Sequence, residues 1–366
     1  MKKFCFVLAV LCFLNVSVFA NGVDDVLDPD MQDNIINSFE ASGVEFDALE
    51  TIDKLNRGDF DIGFGGIINQ VKSIARDLLK ENLGFGITLF ALIMLASVII
   101  NVNESFSEEK PVNLVVLAVV VVSMLGTVNK VCEYTTQFVD NLILFVNAYI
   151  PTIMMLLASS GKVGTAGVLN PVMIAFSSVI ILIVKNFIIP LNIISFVLKL
   201  AGCITEKQHL KNFGEQIQKI LKWLLGFIVT IYVGIIAIVG VAAPKVDDMT
   251  LKTAKYAISN FIPYVGGMVA DSVDLIFACS SVVKNSVGIA GLIVILLMAA
   301  VPCLKVLAKL IVLNVVGFFV SPVAGKNIIE SLNNMSSCIG VFFAVNIILS
   351  VMYIISITVI IFIGGA

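Results

Sequence analysis

KYAISNFIPYVGGMVADSVDLIFACSSVVK, residues 255–284, is apolar enough for a membrane yet breaks the rules of a plain spanning helix. Pro263 lacks an amide proton and Gly266-Gly267 follows within one turn, so helical structure weakens there. Asp271 and Asp274 come next, and at a separation of three they share one helix face. A carboxylate at the centre of a bilayer costs about 2.5–3.5 kcal/mol on insertion scales, unless it faces a bundle interior, a cavity or water. The stretch therefore has two readings. In one it is a broken or re-entrant element lining a polar path, with Asn260, Pro263, Gly266, Gly267, Asp271 and Asp274 as candidate residues. In the other it is an amphipathic helix on the membrane surface, with its aspartates in water.

The rest of the chain supports a membrane setting. Of 366 residues, 59% are hydrophobic and 13% charged, against about 25% charged in soluble domains. This composition predicts an all-α, polytopic membrane protein. No basic stripe with interleaved aromatics occurs, so nucleic acid is not an expected partner, whereas membrane lipid is. The seven cysteines are scattered singly without a CxxC, and His209 is the only histidine. That pattern predicts buried packing rather than a disulfide framework or a metal site. The chain contains no GxxxxGK[ST], HExxH or GxSxG. No catalytic residue and no cofactor is expected, and the chain reads as a non-enzyme.

In chain order, Lys2-Lys3, an apolar core from Phe4 to Leu14 and small residues before Asn21 predict a signal peptide over 1–20, cleaved after Ala20. The mature N-terminus is then extracytoplasmic. Residues 21–82 form an acidic extracytoplasmic segment, with an amphipathic helix expected from Ile67 to Leu79. It is too short for a catalytic domain with a large core, and docking is its expected role. Residues 83–366 form the polytopic domain.

Apolar runs predict spans at Leu83–Ile100, Val112–Val128, Leu142–Ala158, Val168–Val184, Phe187–Ile204, Ile220–Ala243, Val287–Leu304, Val306–Val323 and Cys338–Ile363. Pro244 is expected to stop the sixth. The total is about 8–9 transmembrane helices, depending on how residues 255–284 are counted. Lysine bias in the loops favours a non-crossing 255–284. Asn147-Ala148-Tyr149-Ile150-Pro151 resembles Asn260-Phe261-Ile262-Pro263, and Pro151 to Pro190 matches Pro263 to Pro302 in length. The match suggests an internal repeat, about 141–243 and 255–363. Lys185, Lys199, Lys305 and Lys309 are expected to snorkel from helix ends to the interface.

Beside a signal peptide, an acidic segment and many spans, the chain carries one more specific run. Ser259-Asn260-Phe261-Ile262-Pro263, Gly266 and Ala270-Asp271-Ser272 resemble the stage III sporulation protein AE family. The resemblance implies an endospore-forming bacterium and a place in the mother-cell membrane around the forespore. It implies other membrane subunits of a stage III sporulation complex as partners, together with a forespore membrane protein. A separate ATPase subunit is implied too. The implied role is a non-enzymatic subunit of a channel or secretion-like apparatus that supports late forespore development. No catalytic residue carries over. The alternative from the residues alone is a stand-alone secondary transporter or permease, with Asp271 as the coupling group.

Overall fold

In hydrocarbon every backbone N–H and C=O must be satisfied within its own segment, and long apolar runs answer by forming helices. The computed structural model describes residues 76, 82–99, 110–205, 207–261 and 266–364, with side chains described for 76, 82–99, 118–205, 207–238, 277 and 280–362. The signal peptide, Pro263 and nearly all of the acidic segment lie outside the described residues. The described segments are helices: α1 (Asn82–Ile99), α2 (Lys110–Ser159), α3 (Val163–Ile183), α4 (Ile189–Thr205), α5 (Gln208–Phe261), α6 (Gly266–Val320) and α7 (Lys326–Gly364). A single π-helical turn, Val184–Ile188, joins α3 to α4 without a break.

Among the described residues six helices are long and apolar enough to cross a membrane, counting α3 and α4 as one. The first agrees with the predicted Leu83–Ile100. Three predicted pairs of spans prove to be single helices, which corrects the expected breaks. The pair Val112–Val128 and Leu142–Ala158 lies in α2, the pair Val168–Val184 and Phe187–Ile204 in α3–α4, and the pair Val287–Leu304 and Val306–Val323 in α6, whose end at Val320 comes three residues before the predicted one. The reason is local. The polar run from Asn129 to Asn141 holds neither Gly nor Pro, so nothing in it ends a helix. Pro190 follows the π-turn, whose wider bonding accommodates the missing donor, and Pro302 sits inside α6. Pro244 likewise fails to stop α5, which continues to Phe261, since one proline removes only one backbone donor. Apolar stretches of 41 to 43 residues result, about 63 Å long at 1.5 Å per residue.

The long helices form one bundle. α6 runs antiparallel to α2, since Tyr149 meets Val287 and Tyr134 meets Lys305, and to α7, since Lys284 meets Ile361 and Asn314 meets Ser336, while α5 packs against α3, α4 and α7. The α2–α3 turn is sharp because Gly161 adopts φ +85°, a left-handed conformation that glycine adopts without strain. Gly161 N–H donates to Ala158 C=O at 3.0 Å and Lys162 N–H to Leu157 C=O at 3.3 Å, which satisfies two of the last carbonyls of α2. The Phe277 ring covers this turn, 3.0 Å from where a Cβ on residue 161 would sit. At the α2–α6 contact the Tyr149 hydroxyl donates to Val287 C=O at 3.0 Å. Gly291 makes that approach feasible, because a Cβ there would lie 2.7 Å from Tyr149 Cε2 and closer still to the hydroxyl. Lys284, fully buried, donates to Ile361 C=O at 3.2 Å among the last carbonyls of α7. The bond satisfies one of the carbonyls that a helix end leaves without an intrahelical partner.

The proposed repeat offsets the chain by 112 residues (263 minus 151). At that offset the turn at 160–162 falls on 272–274, which lie inside α6, while the end of α4 at Thr205 falls three residues before the end of α6 at Val320.

Candidate functional site

The sequence placed its candidate residues at the α5–α6 junction. Asn260 is in the last turn of α5, and Gly266 and Gly267 open α6. Asp271 and Asp274 follow on the helical backbone of α6, one turn apart and on one face. Pro263 lies outside the described residues. The polar groups whose contacts are described come together elsewhere, between α4, α5 and α7.

Three helical stripes make that site. On α4, Asn192, Ser195, Lys199 and Cys203 follow one another at spacings of three and four and share a face. On α5 the facing residues are Lys211, Gly214 and Gln218, and on α7 they are Glu330, Asn334 and Cys338. The stripes meet pairwise. Asn192 Nδ2 donates to Cys338 C=O at 3.0 Å. Ser195 Oγ donates to Gly214 C=O at 2.6 Å. Lys199 Nζ donates to Gln218 Oε1, and both side chains are 4% exposed. At the open end Lys211 Nζ meets Glu330 Oε2 at 2.6 Å, and Asn334 Nδ2 approaches Cys203 Sγ at 3.6 Å.

Small residues bring the helices close enough for this. A Cβ on Gly214 would sit 2.7 Å from Lys199 Cγ and 2.8 Å from Ser195 O, and a Cβ on Gly202 would sit 2.5 Å from Lys211 Cγ. Close backbone approach through small residues is how helices associate where lipid removes the hydrophobic drive between them. Two buried polar atoms of the seam, Asn192 Oδ1 and Gln218 Nε2, have no hydrogen-bond partner among the described residues. The seam is therefore polar, and among the described residues it is hydrogen-bonded to a carboxylate where Lys211 meets Glu330.

Lys199 and Lys309 correct the snorkelling expectation. Lys199 turns inward onto Gln218. Lys309 is buried, donates to Asn82 Oδ1 at 3.2 Å and lies 5.2 Å from the centre of the Phe85 ring. Lys185 is paired with Asp140, and Lys305 lies 4.8 Å over the Tyr134 ring. Each lysine has found a partner on a neighbouring helix, which costs less than reaching past a long apolar helix to the nearest interface. The sequence carried a signal for the seam: four non-aliphatic residues at one helical spacing, Asn192 to Cys203, within an otherwise apolar run. Among the described residues, no three of His, Cys, Asp and Glu come together as metal ligands.

Apolar helices of this length, locked together by buried polar contacts, fit a multi-pass membrane protein. The stage III sporulation protein AE family matches residues 46–364, and the chain belongs to that family. It is 30% identical over 301 residues to stage III sporulation protein AE of Bacillus subtilis (strain 168), a stretch covering 81% of this chain and 75% of that relative. No solved structure matches the chain.

Proposed function

We propose that the chain is a non-enzymatic integral membrane subunit of the stage III sporulation transenvelope complex. That complex is a channel or secretion-like apparatus between mother cell and forespore, needed for late forespore development. The reading rests on family membership over residues 46–364, which takes in every described helix. The polar seam of α4, α5 and α7 fits a rigid scaffold that other membrane subunits assemble on, because buried paired groups fix helix register. In this reading the chain lies in the mother-cell membrane. Its partners are the other membrane subunits of the complex, a forespore membrane protein and a separate ATPase. The acidic segment docks outside the membrane, and residues 260–274 sit in or over a polar path.

The test is co-purification of the tagged full chain from membranes of sporulating cells, with and without residues 21–70. The intact chain is expected to bring down further membrane subunits, and the deletion to lose them along with spore formation. A chain that purifies alone overturns the proposal. So does a deletion strain that sporulates at the wild-type frequency. Proton-coupled flux by the isolated chain in vesicles, abolished by Asp271→Asn, would instead mark a stand-alone transporter.

A further inference from the structure

Thr135 of α2 and Asn346 of α7 are both 0% exposed. Neither the Thr135 hydroxyl nor either polar atom of the Asn346 amide has a hydrogen-bond partner among the described residues. Their neighbours behave differently. Thr127, Thr136 and Thr152 of α2 each donate to the carbonyl four residues earlier, and Ser350 and Ser356 of α7 do the same. Buried polar groups are almost always bonded, either to protein or to ordered water.

The two side chains face each other. α6 runs antiparallel to both α2 and α7, so those two are parallel. At Gly288 of α6, Ile153 of α2 meets Ile361 of α7, an offset of 208 (361 minus 153). Asn346 is then level with Phe138, and Thr135 lies three residues away, about 4.5 Å along the axis. The faces agree too. Thr135 precedes Ile153 by 18 residues (153 minus 135), which is five whole turns, so it lies on the α2 face that meets α7. On α7, at about 100° per residue, Asn346 falls between Cys338, which meets α4, and Ile361, which meets α2 and α6.

Two irregular pieces of backbone stand at this height. Lys284 meets Ile361 and Asn314 meets Ser336, so level residues of α6 and α7 have numbers that add to 645–650. Asn346 is therefore level with residues 299–304 of α6. That window holds Pro302, which offers no N–H to the carbonyl of buried Met298. Asn192 meets Cys338, and Tyr353 lies beside Ser177. Both pairs add to 530, so Asn346 is level with Val184, where the π-turn begins. In membrane helices ordered water is one of the partners that satisfy backbone groups freed by proline, and π-turns occur frequently at functional sites.

We propose that Thr135, Asn346 and the Met298 carbonyl hold a cluster of buried water between α2, α6 and α7, at the height of the π-turn. The chemistry of the groups selects water. The amide offers both donor and acceptor, the hydroxyl offers both, and the carbonyl only accepts. Water donates and accepts, and it is held by two to four such groups, whereas a bare ion can answer only one kind. Bound there, it lets two long helices carry irregular backbone through the centre of the bundle without leaving a polar group unpaired.

X-ray radiolysis makes hydroxyl radical wherever water sits, so a buried hydrated site labels its neighbours. The full chain in lipid nanodiscs is irradiated, and three buried phenylalanines are compared by mass spectrometry. Phe138 is level with Asn346, Phe342 is one turn before it, and Phe145 stacks on Tyr149 two turns further along α2. Phe138 and Phe342 are expected to be oxidised roughly threefold or more faster than Phe145. Equal rates for all three overturn the proposal. Thr135→Val and Asn346→Leu, each close in volume to the residue replaced, are expected to bring Phe138 and Phe342 down to the Phe145 rate while that rate stays unchanged. Fast labelling that persists in both variants overturns the assignment as well, because the water would then be held elsewhere. A variant in which Phe145 itself speeds up has lost its packing, and the wild-type rates then decide.

Discussion

Gly291→Ala is the most informative single perturbation of the bundle. The new Cβ would sit 2.7 Å from Tyr149 Cε2 and nearer still to Cζ and the hydroxyl, where ordinary contact begins near 3.4 Å. Either α2 and α6 separate by roughly 1 Å or the Tyr149 ring leaves its rotamer, and overpacking of this kind costs about 1–3 kcal/mol. Either movement also breaks the Tyr149 hydroxyl bond to Val287, worth about 0.5–1.5 kcal/mol net. Alanine's better helix propensity returns about 0.5–1 kcal/mol. The net loss is about 2 kcal/mol, roughly a thirtyfold fall in the folding equilibrium constant. Gly317→Ala is the control, because a Cβ there meets nothing within 4 Å, and it should be neutral or slightly stabilising. The assay is unfolding in mixed micelles on rising dodecyl sulfate, followed by far-ultraviolet circular dichroism. Equal midpoints for the Gly291 and Gly317 variants would refute the close contact of α2 with α6 on which this reasoning depends.

Other perturbations test other joints. Gly161→Ala forces an L side chain into φ +85° against the Phe277 ring and should lower stability by about 1–2 kcal/mol in the same titration. Gln218→Leu takes the acceptor from buried Lys199 and should cost about 1.5–3 kcal/mol, while the Lys199→Met, Gln218→Leu double variant recovers most of the loss. A double variant no more stable than the single one would show that the seam does not depend on that bond. Lys284→Met removes the donor to Ile361 C=O at the end of α7 and should speed hydrogen exchange in the last turn of that helix, at a cost of about 1 kcal/mol.

Much of the architecture was legible in the chain. The first predicted span, Leu83–Ile100, is helical in α1 over all of its described residues, 83–99. The apolar runs became helices because their hydrophobicity demands satisfied backbone whatever their neighbours do. Reading boundaries from polar interruptions was less successful. Asn129 to Asn141 looks like a loop because it is polar, but polarity alone does not end a helix, and the run lacks the Gly or Pro that would. Pro190 and Pro302 look like starts and stops, but a proline costs one backbone bond, which a π-turn or packed neighbours can absorb. The seam was half legible. The spacing of Asn192, Ser195, Lys199 and Cys203 gave a polar face, but no local pattern says what that face meets.

The sequence by itself determined the class of molecule and the family. Composition sets how much surface must avoid water, and a run of matching residues identifies kin, and neither depends on which helix lies beside which. Only the tertiary structure decided that Lys199 points inward to Gln218, that Lys211 finds Glu330 across 119 positions of chain, that Asp140 meets Lys185 and that Lys305 lies over the Tyr134 ring. Those pairings come from antiparallel register, which is fixed by the closest fit of side chains and glycines over the whole length of the helices, and that fit is not a property of any single segment.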